Sequence, residues 1–124
     1  MRYMMLIYSH EDDAATRDQL QAVAAQHGAL IAETTRRGIL RAADPLEASA
    51  TATTVRVENG KVLITDGPFA ETKEQLAGYY ILDCENLDEA LEWAAKIPTA
   101  CQGATGCIEV RPIRQMTNPT LMNG

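Results

Sequence analysis

Two alternating apolar runs face each other across Asn59-Gly60 in the segment TTVRVENGKVLIT. Val55 and Val57 alternate with Thr54 and Arg56 before the pair, and Val62 and Ile64 mirror them after it. Asn-Gly supplies the two positive φ angles of a type I′ turn, whose twist matches that of the flanking strands. The spacing therefore predicts an antiparallel β-hairpin in mid-chain.

The segments around this hairpin define the rest. YMMLIY (3–8) is apolar on both faces, as a strand covered on both sides or central in a sheet must be. After it, Asp13 or Thr16 can cap a helix, and Thr16 with Gln19 has the spacing of a capping box. Leu20, Val23, Ala24, His27, Leu30 and Ile31 recur at three- and four-residue steps, which makes one helical stripe. Arg36 and Arg37 complement the negative end of that helix, and Gly38 offers its left-handed cap. A short strand is expected over 39–42, another over 78–84, and a last one over 107–111. Between the latter two, Asn86 and Glu89 cap a second helix whose stripe is Leu87, Ala90, Leu91 and Ala94 and which ends before Pro98.

Strand, helix, strand, hairpin, strand, helix, strand reduces, without the hairpin, to βαββαβ. That order is the ferredoxin-like α+β unit, with both helices on one face of an antiparallel sheet. The opposite face, assigned to residues such as Met4, Leu6, Tyr80 and Leu82, would be bare in a single copy. A second copy is the expected cover, in a two-fold pairing that encloses a small space. The 124 residues are expected to form one domain over 1–114, followed by a loose tail over 115–124.

Charge and cysteine usage narrow the function classes. A formal net charge of -6 disfavours nucleic-acid binding, although eight of the eleven cations are Arg and a local cationic pocket is allowed. Cys84, Cys101 and Cys107 are odd in number and lack C-x-x-C spacing, which fits reduced thiols in cytoplasm. No apolar run approaches a membrane span, and no signal-peptide pattern precedes the first strand.

The run TDGPFAETKEQLAGYYIL (65–82) resembles the defining segment of the DGPF-domain branch of the YCII-related proteins. RYMMLIY, TATTVRV, NLDEALEWAAKIP and IEVRPI extend that resemblance over nearly the whole chain. The resemblance implies a dimeric α+β barrel of ferredoxin-like protomers paired through their sheets. It further implies chemistry on small, often chlorinated or hydroxylated aromatic compounds by a histidine–aspartate pair. Its histidine falls on His27, in the first helix before Gly38. Its acid falls near the end of the first strand, where this chain reads SHEDD: Ser9 and His10 at the position itself, Glu11, Asp12 and Asp13 just beyond it. Association with an alternative sigma factor is a second implication.

Read from the residues, His27 lies on the apolar stripe seven positions after Leu20. It is either a core histidine bonded to a backbone carbonyl or an acid–base group with a pKa suited to neutrality. His10 stands at a strand end, where functional groups concentrate. Neither histidine has metal-site spacing, and there is no glycine-rich phosphate loop, so neither a metal nor a cofactor is expected. Asp66-Gly67-Pro68-Phe69 is a turn, with Gly67 pushed toward extended geometry by Pro68, Phe69 expected to plug an apolar hole in this chain or on a partner subunit, and Asp66 a secondary candidate for ligand contact. Glu71 and Lys73 share a side if extended and are expected at a cavity mouth. Tyr79 and Tyr80 point to opposite faces, one of them toward a ligand, and Arg41 is a candidate anion clamp. Two functions fit these residues. One is cofactor-free proton transfer on a small aromatic or carboxylated molecule (lyase, isomerase or dehydrohalogenase-like), with His27 as acid–base group and Asp12 or Asp13 orienting it. The other is a non-catalytic ligand-binding or regulatory module.

Overall fold

The computed structural model describes residues 1–11, 16–98 and 106–116. Its elements are β1 (Arg2–Ser9), α1 (Arg17–Arg36), β2 (Leu40–Pro45), β3 (Thr53–Glu58), β4 (Lys61–Asp66), β5 (Gln75–Asp83), α2 (Leu87–Ala94) and β6 (Gly106–Pro112), with one 3-10 turn at Ser49–Thr51. The four-stranded sheet runs β2-β5-β1-β6 and is antiparallel throughout. This order is that of a ferredoxin-like βαββαβ sheet, so the single chain is a mixed α+β structure compatible with that fold. β3 and β4 form a separate two-stranded sheet.

The helix ends form as their sequences dictate. Thr16 and Gln19 exchange both capping-box bonds, Thr16 Oγ1 accepting from the Gln19 amide at 3.1 Å and Gln19 Oε1 from the Thr16 amide at 2.8 Å. Asn86 Oδ1 accepts from the Glu89 amide at 2.9 Å. Each cap satisfies a backbone donor that the helix itself leaves unpaired. Gly38, at φ 73°, carries the chain from α1 into β2. Asn59 and Gly60 have φ of 50° and 76°, the two left-handed residues a type I′ turn demands.

Strand alternation decides what is buried. Tyr3, Met5, Ile7 and Ser9 of β1 and Gly78, Tyr80 and Leu82 of β5 face the helices. They pack with Leu30, Ala90, Trp93, Ala94 and Ile97 into one core. Fully burying a side chain such as Leu82 contributes about 1.5–3 kcal/mol. The β1–β5 register pairs Met5 with Tyr80 and Met4 with Ile81. Met4, Leu6, Tyr8, Tyr79 and Ile81 therefore form the opposite face, only half-buried in a single chain. Met4 and Leu6 are where expected, but Tyr80 and Leu82 are not: strand alternation fixes which residues share a face, and only the pairing register links the faces of two strands.

Two other expectations change. β5 begins at Gln75 rather than Gly78, with Ala77 forced out of register between the Ile7–Gly78 and Tyr8–Leu76 pairs. Gly67 has φ 99° rather than the extended geometry usual before proline, a conformation open to glycine and strained for other residues. Phe69 is 78% exposed in the single chain. Among the described residues, no helix is long and apolar enough to cross a membrane.

Candidate functional site

Between α1 and the β2–β5 side of the sheet lies a cavity of about 460 Å³. Ile7, Leu20, Val23, Ile31, Ala43 and Pro45 supply its apolar walls. It is therefore on the helix side of the sheet, whereas the expected space lay on the bare side between two copies. A cavity of this size and composition, with few polar groups, is the usual form of a small-molecule site.

Tyr80 reaches the cavity from the helix-facing side of β5, and α1 brings His27 over it. The Tyr80 hydroxyl lies 2.6 Å from His27 Nδ1. The two rings are stacked at 5.8 Å with 25° between their planes. Burial lowers the His27 pKa below its ordinary 6.5, and a hydrogen bond with the Pro98 carbonyl opposes that shift. Burial also raises the Tyr80 pKa above 10.0. At neutral pH the pair is thus a neutral imidazole beside an intact phenol, each the less costly form in an apolar setting. One ring nitrogen can accept a proton while the phenol can donate one.

Ser9 ends the inward-facing row of β1 and is a further polar residue lining the cavity. Its period of two with Tyr3, Met5 and Ile7 was a usable signal for burial, and it stands where the resemblance placed an acid. Asp12 and Asp13, the carboxylates expected to orient His27, lie outside the described residues. Glu11 is engaged elsewhere: its two carboxylate oxygens accept from the Ser49 amide and hydroxyl, each at 2.7 Å. The described partners of His27 are therefore a phenol and a carbonyl.

Of the two tyrosines, the ligand-side one is Tyr80. Tyr79 and Asp44 border the cavity but pair across β2 and β5 on the other face, where the Tyr79 hydroxyl donates to Asp44 Oδ2 at 2.7 Å. That bond raises the Tyr79 pKa. Asp44 is the one ionisable carboxylate among the described lining residues, and no Lys or Arg is among them.

Arg41 is not an anion clamp here. It is the extra residue between the Leu40–Leu82 and Ala42–Ile81 pairs, so it drops out of the ladder. Its guanidinium donates to the Gly38 carbonyl at 2.9 Å and to Asp83 at 3.1 Å. Asp83 is held below the usual carboxylate range by the Met1 ammonium first and Arg41 second. Asp66 closes the far end of the hairpin opposite Thr53, away from the cavity. His10 and Lys73 both line a shallow basin on the opposite face, with Tyr8, Glu74, Cys107 and Glu109. The thiols are not activated: burial pushes Cys84 up to about 11, and burial together with Glu74 raises Cys107. Cys101 lies outside the described residues.

The sequence of residues 1–117 matches the YCII-related domain. The chain belongs to the YCII-related family. This YCII-related chain is also similar to an uncharacterized protein of Rhizobium meliloti (strain 1021), with 37% identity over 115 residues, 91% of this chain and 92% of that protein. For this YCII-related protein, the residues that converge in a cavity are His27, Tyr80 and Ser9.

Proposed function

We propose that this YCII-related protein binds a small, neutral, ring-containing molecule between α1 and the sheet and moves a proton on it without a cofactor. The observation that carries the reading is the 2.6 Å contact of His27 with Tyr80 at an apolar cavity of about 460 Å³. Groups whose environments hold one as base and the other as acid at the same pH are suited to acid–base chemistry. In this reading Tyr80 donates to His27 Nδ1, and its oxygen accepts the ligand's acidic proton as its own hydrogen passes to the imidazole, so that the ligand is left as its conjugate base. A carboxylated ligand is disfavoured, because the described lining offers no cation to pair with it. Lyase, isomerase and dehydrohalogenase-like reactions all begin with such a proton abstraction.

Phenol serves as the probe. Its dissociation constant, measured by calorimetry, is expected to rise about fivefold in Tyr80→Phe, the loss of one hydrogen bond of about 1 kcal/mol. His27→Gln is expected to weaken binding similarly. No binding by the wild type, or binding by both variants as tight as that of the wild type, sinks the reading.

A second reading is a non-catalytic ligand-binding or regulatory module, with an alternative sigma factor as its partner. Ser9 favours it, since no carboxylate stands beside His27 among the described residues to stabilise an imidazolium. In either reading we place the chain in the DGPF branch, in the cytoplasm, and as a homodimer joined through Met4, Leu6, Tyr8, Tyr79 and Ile81. Sedimentation as a single subunit at micromolar concentration would remove the dimer.

A further inference from the structure

Most described glycines have a visible structural reason. Gly38, Gly60 and Gly67 have positive φ, and a Cβ at Gly78 would stand 2.8 Å from the Asp44 carbonyl oxygen. Gly28 has neither reason. It lies well inside the 20-residue helix α1, its φ is not positive, and a Cβ there would meet nothing within 4 Å. Glycine in a helix interior is less stable than alanine because it loses more backbone freedom on folding. The fold thus bears a cost at Gly28 that neither its backbone nor its packing requires.

The position explains what the space is for. Gly28 follows His27 directly and borders the same cavity. Leu20, Ala24 and Gly28 follow one another at four-residue steps along α1, and all three are exposed. Along this row the side chains shrink toward His27, and the cavity opens between α1 and β2.

We infer that Gly28 sets the size of the ligand, keeping room beside His27 for a fused or substituted ring system larger than a single benzene ring. This rests on the binding reading above and adds to it the width of the ligand. A ring seated at His27 and Tyr80 extends over Gly28, where a side chain would occupy its second ring. The bare helix wall is thus a specificity-determining element, and the helix stability given up there is exchanged for that volume.

The test uses the full chain with phenol and 2-naphthol as probes, in wild type, Gly28→Ala and Gly28→Leu. Wild type is expected to bind 2-naphthol more tightly than phenol. Gly28→Leu is expected to weaken 2-naphthol at least tenfold while leaving phenol within threefold. Gly28→Ala is expected to raise the Tm of the free protein, since nothing clashes with the added methyl. Unchanged 2-naphthol affinity in Gly28→Leu, or an equal loss of both probes, overturns the inference while leaving the binding reading intact. A lowered Tm in Gly28→Ala also overturns it, by showing that the fold itself needs glycine there. Failure of the wild type to bind either probe overturns the binding reading and this inference with it.

Discussion

The helix-facing side of the main sheet and the β3–β4 hairpin each present an apolar face, and the two faces meet opposite fates. The hairpin strands alternate apolar with polar residues, whereas β1 is apolar on both of its faces. In the sheet, Met5 and Leu82 are wholly buried under α1 and α2. In the hairpin, Val55, Val57, Val62 and Ile64 form one face and each is at least 60% exposed. Alternation specifies a face that seeks cover, while the covering partner comes from topology. Turn chemistry can therefore fix a hairpin locally whose apolar face contributes little within one chain, and an isolated two-stranded ribbon is marginal by itself.

Substitutions can break or sharpen this contrast. Leu82→Ala, on the covered side, should lose about 2–5 kcal/mol in urea unfolding, because a cavity is left among residues that cannot fully collapse. Gly78→Ala should lose about 1–3 kcal/mol, since its methyl would meet the Asp44 carbonyl oxygen at 2.8 Å. Gly60→Ala introduces about 1 kcal/mol of left-handed strain. Its effect should appear as faster amide exchange in β3 and β4, with β1 and β5 unchanged; slowed or global exchange would contradict an independent hairpin. Val57→Thr should change stability by less than about 0.5 kcal/mol. A larger, concentration-dependent loss would mean that a second molecule covers the hairpin face.

The covered side also carries a pH signature. The His27 pKa is lowered on folding, so the unfolded chain binds the proton more readily below about 6.5. Its contribution is complete above that pH and is lost progressively as pH falls toward the folded-state value. Stability should therefore decline on acidification from pH 7 to 5 by an amount that His27→Gln reduces, measurable by urea titration at each pH.

What was legible in the sequence is what neighbours along the chain decide. The Thr16–Gln19 box, the Asn86 cap and the Asn59-Gly60 turn formed because each motif completes its own hydrogen bonds or dihedrals locally. Helical periodicity likewise placed His27 on the inner stripe of α1. The failures are questions of register. Which of Tyr79 and Tyr80 faced α1 depended on how β5 slides against β1. Arg41 left the ladder at an irregularity that its own residue type does not announce. Tyr80, the phenol partner of His27, comes from a strand more than fifty residues away in the chain. Asp44 is near Tyr79 for the same non-local reason.

The Asp44–Gly78 approach implies that the chamber has one hard wall and one soft wall. At that approach on the strand side, main chain rests against main chain with no side chain in between, so this stretch offers nothing to trim or enlarge without prising the strands apart. On the helical side the boundary is drawn by interchangeable side chains. Any retailoring of this protein for a differently shaped guest is therefore best made by editing α1.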